Sequence, residues 1–558
     1  MSFRLTKLNE EEIKNLITMS NKCRGDILKM TTMSASGHPG GSMSTIDFLT
    51  ALYKLADLDS QNPRKDSRDK IVVSNGHISP AVYSVLAANN YFDIDDAISQ
   101  FRLAGSIFEG HIETTVPGVE WGTGNLGQGL SAACGFALAM RYKGEDNQVF
   151  CIMGDGEQQK GQLSEARRFA VKHNLNNITA FVDYNKLQIS GAIDKVMFQD
   201  IKANYLSDGW EVIELDAHDF NQIQDALIQA VKSEKPVALL GHSIMGKGVS
   251  FMENKEKYHG STLSETQLGL ALKELKLETN FDKYKKLRAN FKPQQHENIQ
   301  SPNFNIDTGN PIVYKDKLDN RSAWGNAIGD IAKINKDKNP LLTVFDCDLQ
   351  GSVKTNEFEK YLPDNFIQAG IMEHNAATVS GALSYAGVQS FFADFGVFGV
   401  DETYNQHRLN DINNSNLKLI TTHNGLNVGE DGKTHQCIDY VGTFRNLFHF
   451  DVVVPADPNQ TDRVIRHIAD KAGNVLVVMG RSKQEIIRDE AGKIFFDENY
   501  KFEFGKADKL RNGNKVEIIS MGCMTEKAIE ICDMLKEKNI DAQVWNVATP
   551  NNIDTKMI

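Results

Sequence analysis

The side chains best suited to chemistry are an acid in Gly154-Asp155-Gly156-Glu157 and an amide in Asp183-Tyr184-Asn185. Each follows an apolar run, Val149 to Met153 before the acid and Ile178 to Val182 before the amide. Gln162 to His173, between them, has helix-forming composition, so the stretch reads as strand, helix, strand. Ligands bind outside the carboxyl ends of parallel strands, which makes Asp155 and Asn185 neighbours despite the intervening chain. One carboxylate and one amide oxygen, beside a glycine turn with free backbone N–H groups, suit a hard cation holding a diphosphate. A Gly-Asp-Gly alone reads equally well as a turn. The strand, helix, strand and Asn185 tip the reading toward a site.

The elements that must position this pair follow from periodicity and punctuation. Leu8 to Met33 reads as an amphipathic helix ending in a flexible loop, Ser34 to Gly41, that carries His38. A second helix spans Ser44 to Ala56, and a strand from Asp69 to Ser74 runs into Asn75-Gly76-His77. The glycine-rich run Gly122 to Gly129 opens a small-residue helix, Leu130 to Met140, and reads either as an anion-binding nest at the helix N-terminus or as small residues serving tight helix packing. Trp210 to Leu215, a helix from Phe220 to Lys232 and a strand from Pro236 to His242 lead into Gly246-Lys247-Gly248 and Tyr258-His259-Gly260. Alternating strands and helices argue a doubly wound parallel sheet in an α/β domain, residues 1–290. A polar stretch breaks the pattern, giving a linker over 291–315.

A second such domain covers 316–485, with strands at Leu341–Phe345, Phe366–Ala369, Leu417–Thr421, Asp451–Val454 and Val475–Met479. After a further linker, 486–510, residues 511–558 give one strand-helix-strand, a partial third α/β domain. That is too little to stand alone, so it is either incomplete or packed on its neighbour. In the second domain Gly370-Ile371-Met372-Glu373-His374-Asn375 sits at a strand-to-helix junction. The segment Phe391-Phe392-Ala-Asp394-Phe395-Gly-Val-Phe398 reads as a glycine-interrupted loop near a flat ligand. Thr422 to Gln436 is a polar loop with two histidines and the acid pair Glu430-Asp431, too rich in polar groups to fill a core.

Composition narrows the classes. The 558 residues hold roughly three or four domains. A hydrophobic content of 41% and a charged content of 24% are ordinary for a soluble globular protein. A net charge of −12 argues against nucleic acid or an anionic membrane as partner. Seven scattered cysteines without Cys-x-x-Cys spacing point to reduced thiols and a cytoplasmic location. Neither a signal peptide nor a membrane-spanning run is expected.

Taken together, Ser-Gly-His-Pro-Gly at residues 36–40, Asn-Gly-His, Gly-Asp-Gly with Asn185, and Gly-Glu-Asp-Gly-Lys-Thr-His-Gln appear in the order found in transketolases, which the chain resembles from about residue 10 to 550. The resemblance implies two thiamine-diphosphate-binding-type α/β domains and a C-terminal domain. It implies thiamine diphosphate with Mg2+ (or Ca2+ or Mn2+ in its place), and sugar phosphates as substrates. It also implies a homodimer whose active sites lie between the first domain of one subunit and the second domain of the other.

Carried over position by position, the metal ligands are Asp155, Asn185 and the backbone carbonyl of Leu187. The cofactor set is His77, Gly124, Leu126, Asp155, Gly156, Glu157, Asn185, Glu373, Phe395 and Phe398. In the family a glutamate at the position of Glu373 favours the imino form of the cofactor's pyrimidine, which then takes the proton from the thiazolium carbon. His38, His77, His259 and His435 join it as catalytic residues. His38, His111, His259, His435 and Asp431 line the substrate channel, and Arg321, Ser352, His423 and Arg481 grip a terminal phosphate. Lys160 stands where a glutamate is usual, in a carboxylate network that includes Glu165, and Asp401 where an aromatic residue is common. With Met372, His374 and Asn375 these leave room for a specialised donor, such as a sulfonated ketose. The expected activity is transfer of a two-carbon ketol unit from an anionic ketose to an aldose phosphate. The alternatives are a pyruvate-using 1-deoxyxylulose-5-phosphate synthase, and a non-catalytic binding paralogue.

Overall fold

The computed structural model describes residues 3–293 and 301–557. They form two compact units that divide at the segment joining these ranges. The expected linker 291–315 lies partly outside the described residues, at 294–300. Its later part is not free chain, because Phe304 and Ile306 are buried in the core of the second unit.

The first unit is built on a parallel sheet of β1 (Lys70–Val73), β2 (Val149–Gly154), β3 (Ile178–Tyr184), β4 (Glu211–Asp216) and β5 (Val237–His242), in the order β1-β2-β3-β5-β4. Val149 to Met153 are almost wholly buried, as a strand covered on both faces requires. Pairing sets Gly154 against Asp183, so the chain leaves β2 and β3 side by side. Helix α1 (Glu10–Met33) starts at a capping box: Asn9 accepts from Glu12 N, and Glu12 reaches back to Asn9 N. Helix α2 (Pro39–Leu55) begins earlier than the expected Ser44. Proline suits the first helical position, having no N–H to leave unpaired. His38 therefore caps a helix instead of riding a flexible loop. Helix α3 (Gly129–Lys143) follows the glycine-rich run, and α4 (Gly161–Lys172) connects β2 to β3.

The second unit carries a six-stranded parallel sheet: β6 (Leu342–Asp346), β7 (Phe366–Gln368), β8 (Gln389–Phe395), β9 (Lys418–Thr422), β10 (Phe450–Val453) and β11 (Asn474–Val478), ordered β7-β6-β8-β9-β11-β10. The aromatic segment read as a loop is corrected here. It forms β8, an interior strand hydrogen-bonded to β6 on one side and β9 on the other. Phe391 and Phe392 are fully buried, and Phe391 stacks on Trp324 with centroids 5.5 Å apart. The glycines that pointed to a loop come only after Phe395, where a π-helical turn, Val397–Glu402, carries Phe398. Glu373 opens helix α5 (Glu373–Tyr385).

A small third sheet, β12 (Asp508–Arg511), β13 (Val516–Ser520) and β14 (Ala542–Asn546), is ordered β12-β14-β13. It packs on its neighbour: Ala456 and Ile487 share its core, and Val454 N donates to Ala548 O at 2.8 Å. The stretch 486–510 holds buried Ile487, Phe496 and Phe502 and ends in β12. All seven cysteines are free, six of them buried and Cys523 exposed. Among the described residues no helix is long and apolar enough to cross a membrane.

Truncating Phe391 to alanine removes the ring packed on Trp324 and should cost about 3–5 kcal/mol. Truncating exposed Ile519 should change stability by less than about 0.5 kcal/mol. Urea midpoints of the two variants check the contrast.

Candidate functional site

In the first unit the strand ends gather the predicted donors. Asp155 follows β2 and is buried. Its Oδ2 accepts from Lys186 N at 2.6 Å, which ties it to the loop holding Asn185 and Leu187. Asn185 Oδ1 accepts from Leu187 N at 2.9 Å, and its Nδ2 donates to Asp183 Oδ2 at 3.0 Å. Asp183, the penultimate residue of β3, also accepts from the hydroxyls of Ser44 and Ser243. Burial, reinforced by the charge of Asp183, pushes the Asp155 carboxyl up to about 7. The pair is starved of positive charge, the electrostatic condition a cation would relieve.

Glu157 braces the neighbouring turns. It is buried, and its carboxylate accepts from Ser74 Oγ, from Gly127 N at 2.7 Å and from Gly154 N at 2.9 Å. Gly124 has φ +155° and open space where a Cβ would stand, a cradle into which a ligand's polar group fits. Gly127 is different: at φ +83° a Cβ would lie 2.6 Å from Lys160 Cβ, so the lysine's stem packs flat on the loop. Around this cradle Asn75 Oδ1, Thr123 Oγ1 and Gln188 Oε1 are buried without hydrogen-bond partners among the described residues. Buried polar atoms in that state mark a polar ligand's place. Leu126 is exposed on the same loop.

Four of the predicted histidines converge. His38 lies 5.4 Å from His77, 6.5 Å from His111 and 5.8 Å from His259, centroid to centroid, and His77 lies 5.2 Å from His259. Burial lowers His38 to about 4 and His77 to about 3, and lowers His111 and His259 as well. Neutral imidazoles each offer one donor and one acceptor, which suits hydroxyl groups better than anions. The sequence reading missed Arg102, whose charge helps depress His38 and His111 and whose guanidinium donates to Ser36 Oγ. Its left-handed backbone (φ +57°) was invisible in the sequence.

In the second unit the predicted residues again sit at strand ends. Glu373 follows β7, Phe395 ends β8, His423 follows β9 and Arg481 follows β11. Phe395 and Phe398 lie nearly parallel, centroids 6.0 Å apart. His423 packs on Phe395 at 3.8 Å, and His435 stands edge-on to Phe398 at 5.7 Å. Arg321 Nη1 donates to Ser352 O at 3.2 Å and lies 3.4 Å from His423 Nε2. Burial and the charges of Arg321 and Arg481 bring His423 to about 4. Arg481 pairs with Glu430 at 2.8 Å and lies 3.8 Å from Asp431. Asp401, exposed on the π-helical turn, accepts from Cys437 Sγ at 3.5 Å. Sequence reasoning also missed Cys347 and Asp394, which crowd Glu373.

Comparison with known proteins gives one family throughout. Residues 19–303 match the family model described as "Transketolase, thiamine diphosphate binding domain", 316–486 "Transketolase, pyrimidine binding domain" and 505–558 "Transketolase, C-terminal domain". The chain is 26% identical to the transketolase of Homo sapiens over 558 residues, covering 99% of this chain and 87% of that one. It is 36% identical over 275 residues to the 6-deoxy-6-sulfo-D-fructose transketolase subunit SqwG of Clostridium sp. (strain MSTE9), covering 49% of this chain and 99% of that one. The crystal structure of transketolase from Campylobacter jejuni superposes with a TM-score of 0.86 at 25% identity, covering 98% of this chain and 90% of that one.

The histidine cluster carries a pH signature. The unfolded chain takes up protons near pH 6.5, whereas these imidazoles resist protonation down to about 4 or 3. The unfolded state therefore binds more protons in that window, and stability should fall as pH drops from about 6.5 toward 4. Replacing His77 with asparagine should flatten this slope, measured as urea unfolding free energy against pH.

Proposed function

Because the chain belongs to the transketolase family, we propose that it transfers a two-carbon ketol unit from a ketose with a terminal anion to an aldose phosphate. The reaction uses thiamine diphosphate and Mg2+, or Ca2+ or Mn2+ in its place. The observation that carries this reading is the gathering of Glu373, the Phe395–Phe398 wall and the Arg321–His423–Arg481 pocket at the C-terminal edge of one sheet. When bound, thiamine diphosphate supplies the carbon nucleophile that accepts the two-carbon unit.

The residues present suit that cofactor. Asp155, Asn185 and the Leu187 carbonyl are the hard oxygen ligands for its metal, and the raised Asp155 carboxyl falls back when a cation arrives. Gly124 and Gly156 let backbone approach the diphosphate, Leu126 and His77 border it, and Glu157 keeps both turns in register. Glu373 would present its carboxyl group to a ring nitrogen of the pyrimidine, and Phe395 and Phe398 would supply an apolar wall for the ring. His38, His77, His111, His259 and His435, with Asp431, exchange hydrogen bonds and protons with sugar hydroxyls. Arg321, Ser352, His423 and Arg481 take the terminal anion.

A phosphate or a sulfonate would satisfy that pocket. The similarity to a 6-deoxy-6-sulfo-D-fructose transketolase subunit makes a sulfonated ketose a donor to assay beside fructose 6-phosphate and xylulose 5-phosphate. We assign the working form as a homodimer with shared active sites, in the cytoplasm. Exposed apolar side chains support the dimer: Ile189, Met197 and Phe198 in the first unit, and Ile371, Leu426, Ile438 and Phe448 in the second.

Exchanging Glu373 for alanine should lower kcat by about 100-fold or more with the circular-dichroism spectrum intact. A non-catalytic binder would show no activity to lose. Exchanging Arg321 for alanine should raise KM for an anionic ketose by roughly 10- to 100-fold, the loss of one charge-assisted contact. Release of carbon dioxide from pyruvate would replace this assignment with a synthase.

A further inference from the structure

The proposed mechanism leaves one buried acid unused. Asp394 lies next to the end of β8 and is fully buried. Its Oδ1 accepts from Phe395 N at 2.7 Å, while its Oδ2 has no hydrogen-bond partner among the described residues. A carboxylate oxygen of Asp394, one of Glu373 and Cys347 Sγ all lie within 4.8 Å of one another. The three come from three elements: the end of β6, the first turn of α5 and β8.

The surroundings are acidic on every side. Besides Glu373, the charged groups acting on Asp394 are Asp346, at the end of β6, and Glu402, on the π-helical turn. Asp346 is already saturated by Leu349 N at 2.9 Å, Gln368 Nε2 at 2.9 Å and Thr355 Oγ1 at 2.7 Å. Glu402 faces His374 at 3.7 Å. Burial first, then Glu373, drives Asp394 far above the usual carboxylate range. The Cys347 thiol is raised for the same reasons, burial and Asp394. A thiol and an acid that both keep their protons form a proton store beside Glu373.

We propose that Asp394 is a positioning residue for Glu373, the two carboxyl groups sharing one proton directly or through a single water. The proton sits on either carboxyl oxygen with the other carboxylate as acceptor. With the one proton on Asp394, its O–H donates to the Glu373 carboxylate, and that hydrogen bond would orient Glu373 toward a ring nitrogen of the cofactor. The half-buried Glu373 carboxylate thus accepts from a fully buried acid, and the pair titrates as a unit. The cofactor half of this statement rests on the ketol-transfer reading; the shared proton does not.

The test separates the two. Infrared spectroscopy of the cofactor-free protein at neutral pH should show the carbonyl stretch of a protonated, buried carboxyl group. Asp394→Asn should abolish it by removing the buried acid, Glu373→Gln should shift its frequency by removing the carboxylate that accepts the proton, and Cys347→Ser should leave it in place. Circular dichroism confirms that each variant folds, with Asp394→Ser as a substitute if the asparagine variant does not. A missing band in the unaltered protein overturns the proposal. So does a band that Glu373→Gln leaves unshifted, which would mean that the Asp394 proton is not shared with Glu373. In the holoenzyme, Asp394→Asn should displace the limb of the kcat/KM profile that reports Glu373 by about one pH unit. An unmoved limb removes the cofactor half. A band without any ketol transfer leaves the shared proton standing and sinks the functional reading instead.

Discussion

The carboxylate of Glu157 is nearly wholly enclosed, and three donors from three segments converge on it. Ser74 comes from the end of β1, Gly127 from the glycine-rich run that opens α3, and Gly154 from the end of β2. Hydrogen bonds to an ionised acceptor are stronger than neutral ones, and a buried carboxylate deprived of them is costly. The three segments cannot drift apart without exposing that cost. The spacing of Gly124, Asn75 and Asp155 around the cradle follows from this one interaction.

Around that brace, burial sets the charge of each site. In the first unit it neutralises four imidazoles and raises Asp155, leaving a region of hydroxyl-matching groups in the same unit as a buried acid. In the second unit burial first, and then two guanidiniums, keep His423 neutral in a pocket suited to an anion, while Glu373 lies close to the buried acid Asp394.

The third sheet shows how a short segment is stabilised. Three strands and one helix bury too little surface to stand alone. Here Val454 pairs with Ala548, Asn546 reaches Gln460, and Ala456 and Ile487 complete the apolar cluster. The segment belongs to the second unit's fold.

What the sequence determined was where strands end and which donors stand there. The runs before Asp155 and Asn185 were apolar enough to be buried strands, and parallel pairing then placed their tips together. The histidines were legible as a set only through the family resemblance, since each taken singly reads as an ordinary structural residue. What only the tertiary structure decided was the environment of those groups. Phe391 and Phe392 looked like a loop because adjacent glycines mark turns, but an interior strand of a parallel sheet is apolar on both faces and hides its alternation. Arg102 and Asp394 gave no local signal, since a charge acquires meaning only from what is packed against it. Cys347, Glu373 and Asp394 lie on three separate elements, and no spacing along the chain reports a distance set by sheet order. Periodicity encodes where a residue faces, whereas burial and charge coupling depend on neighbours that the chain brings together only by folding.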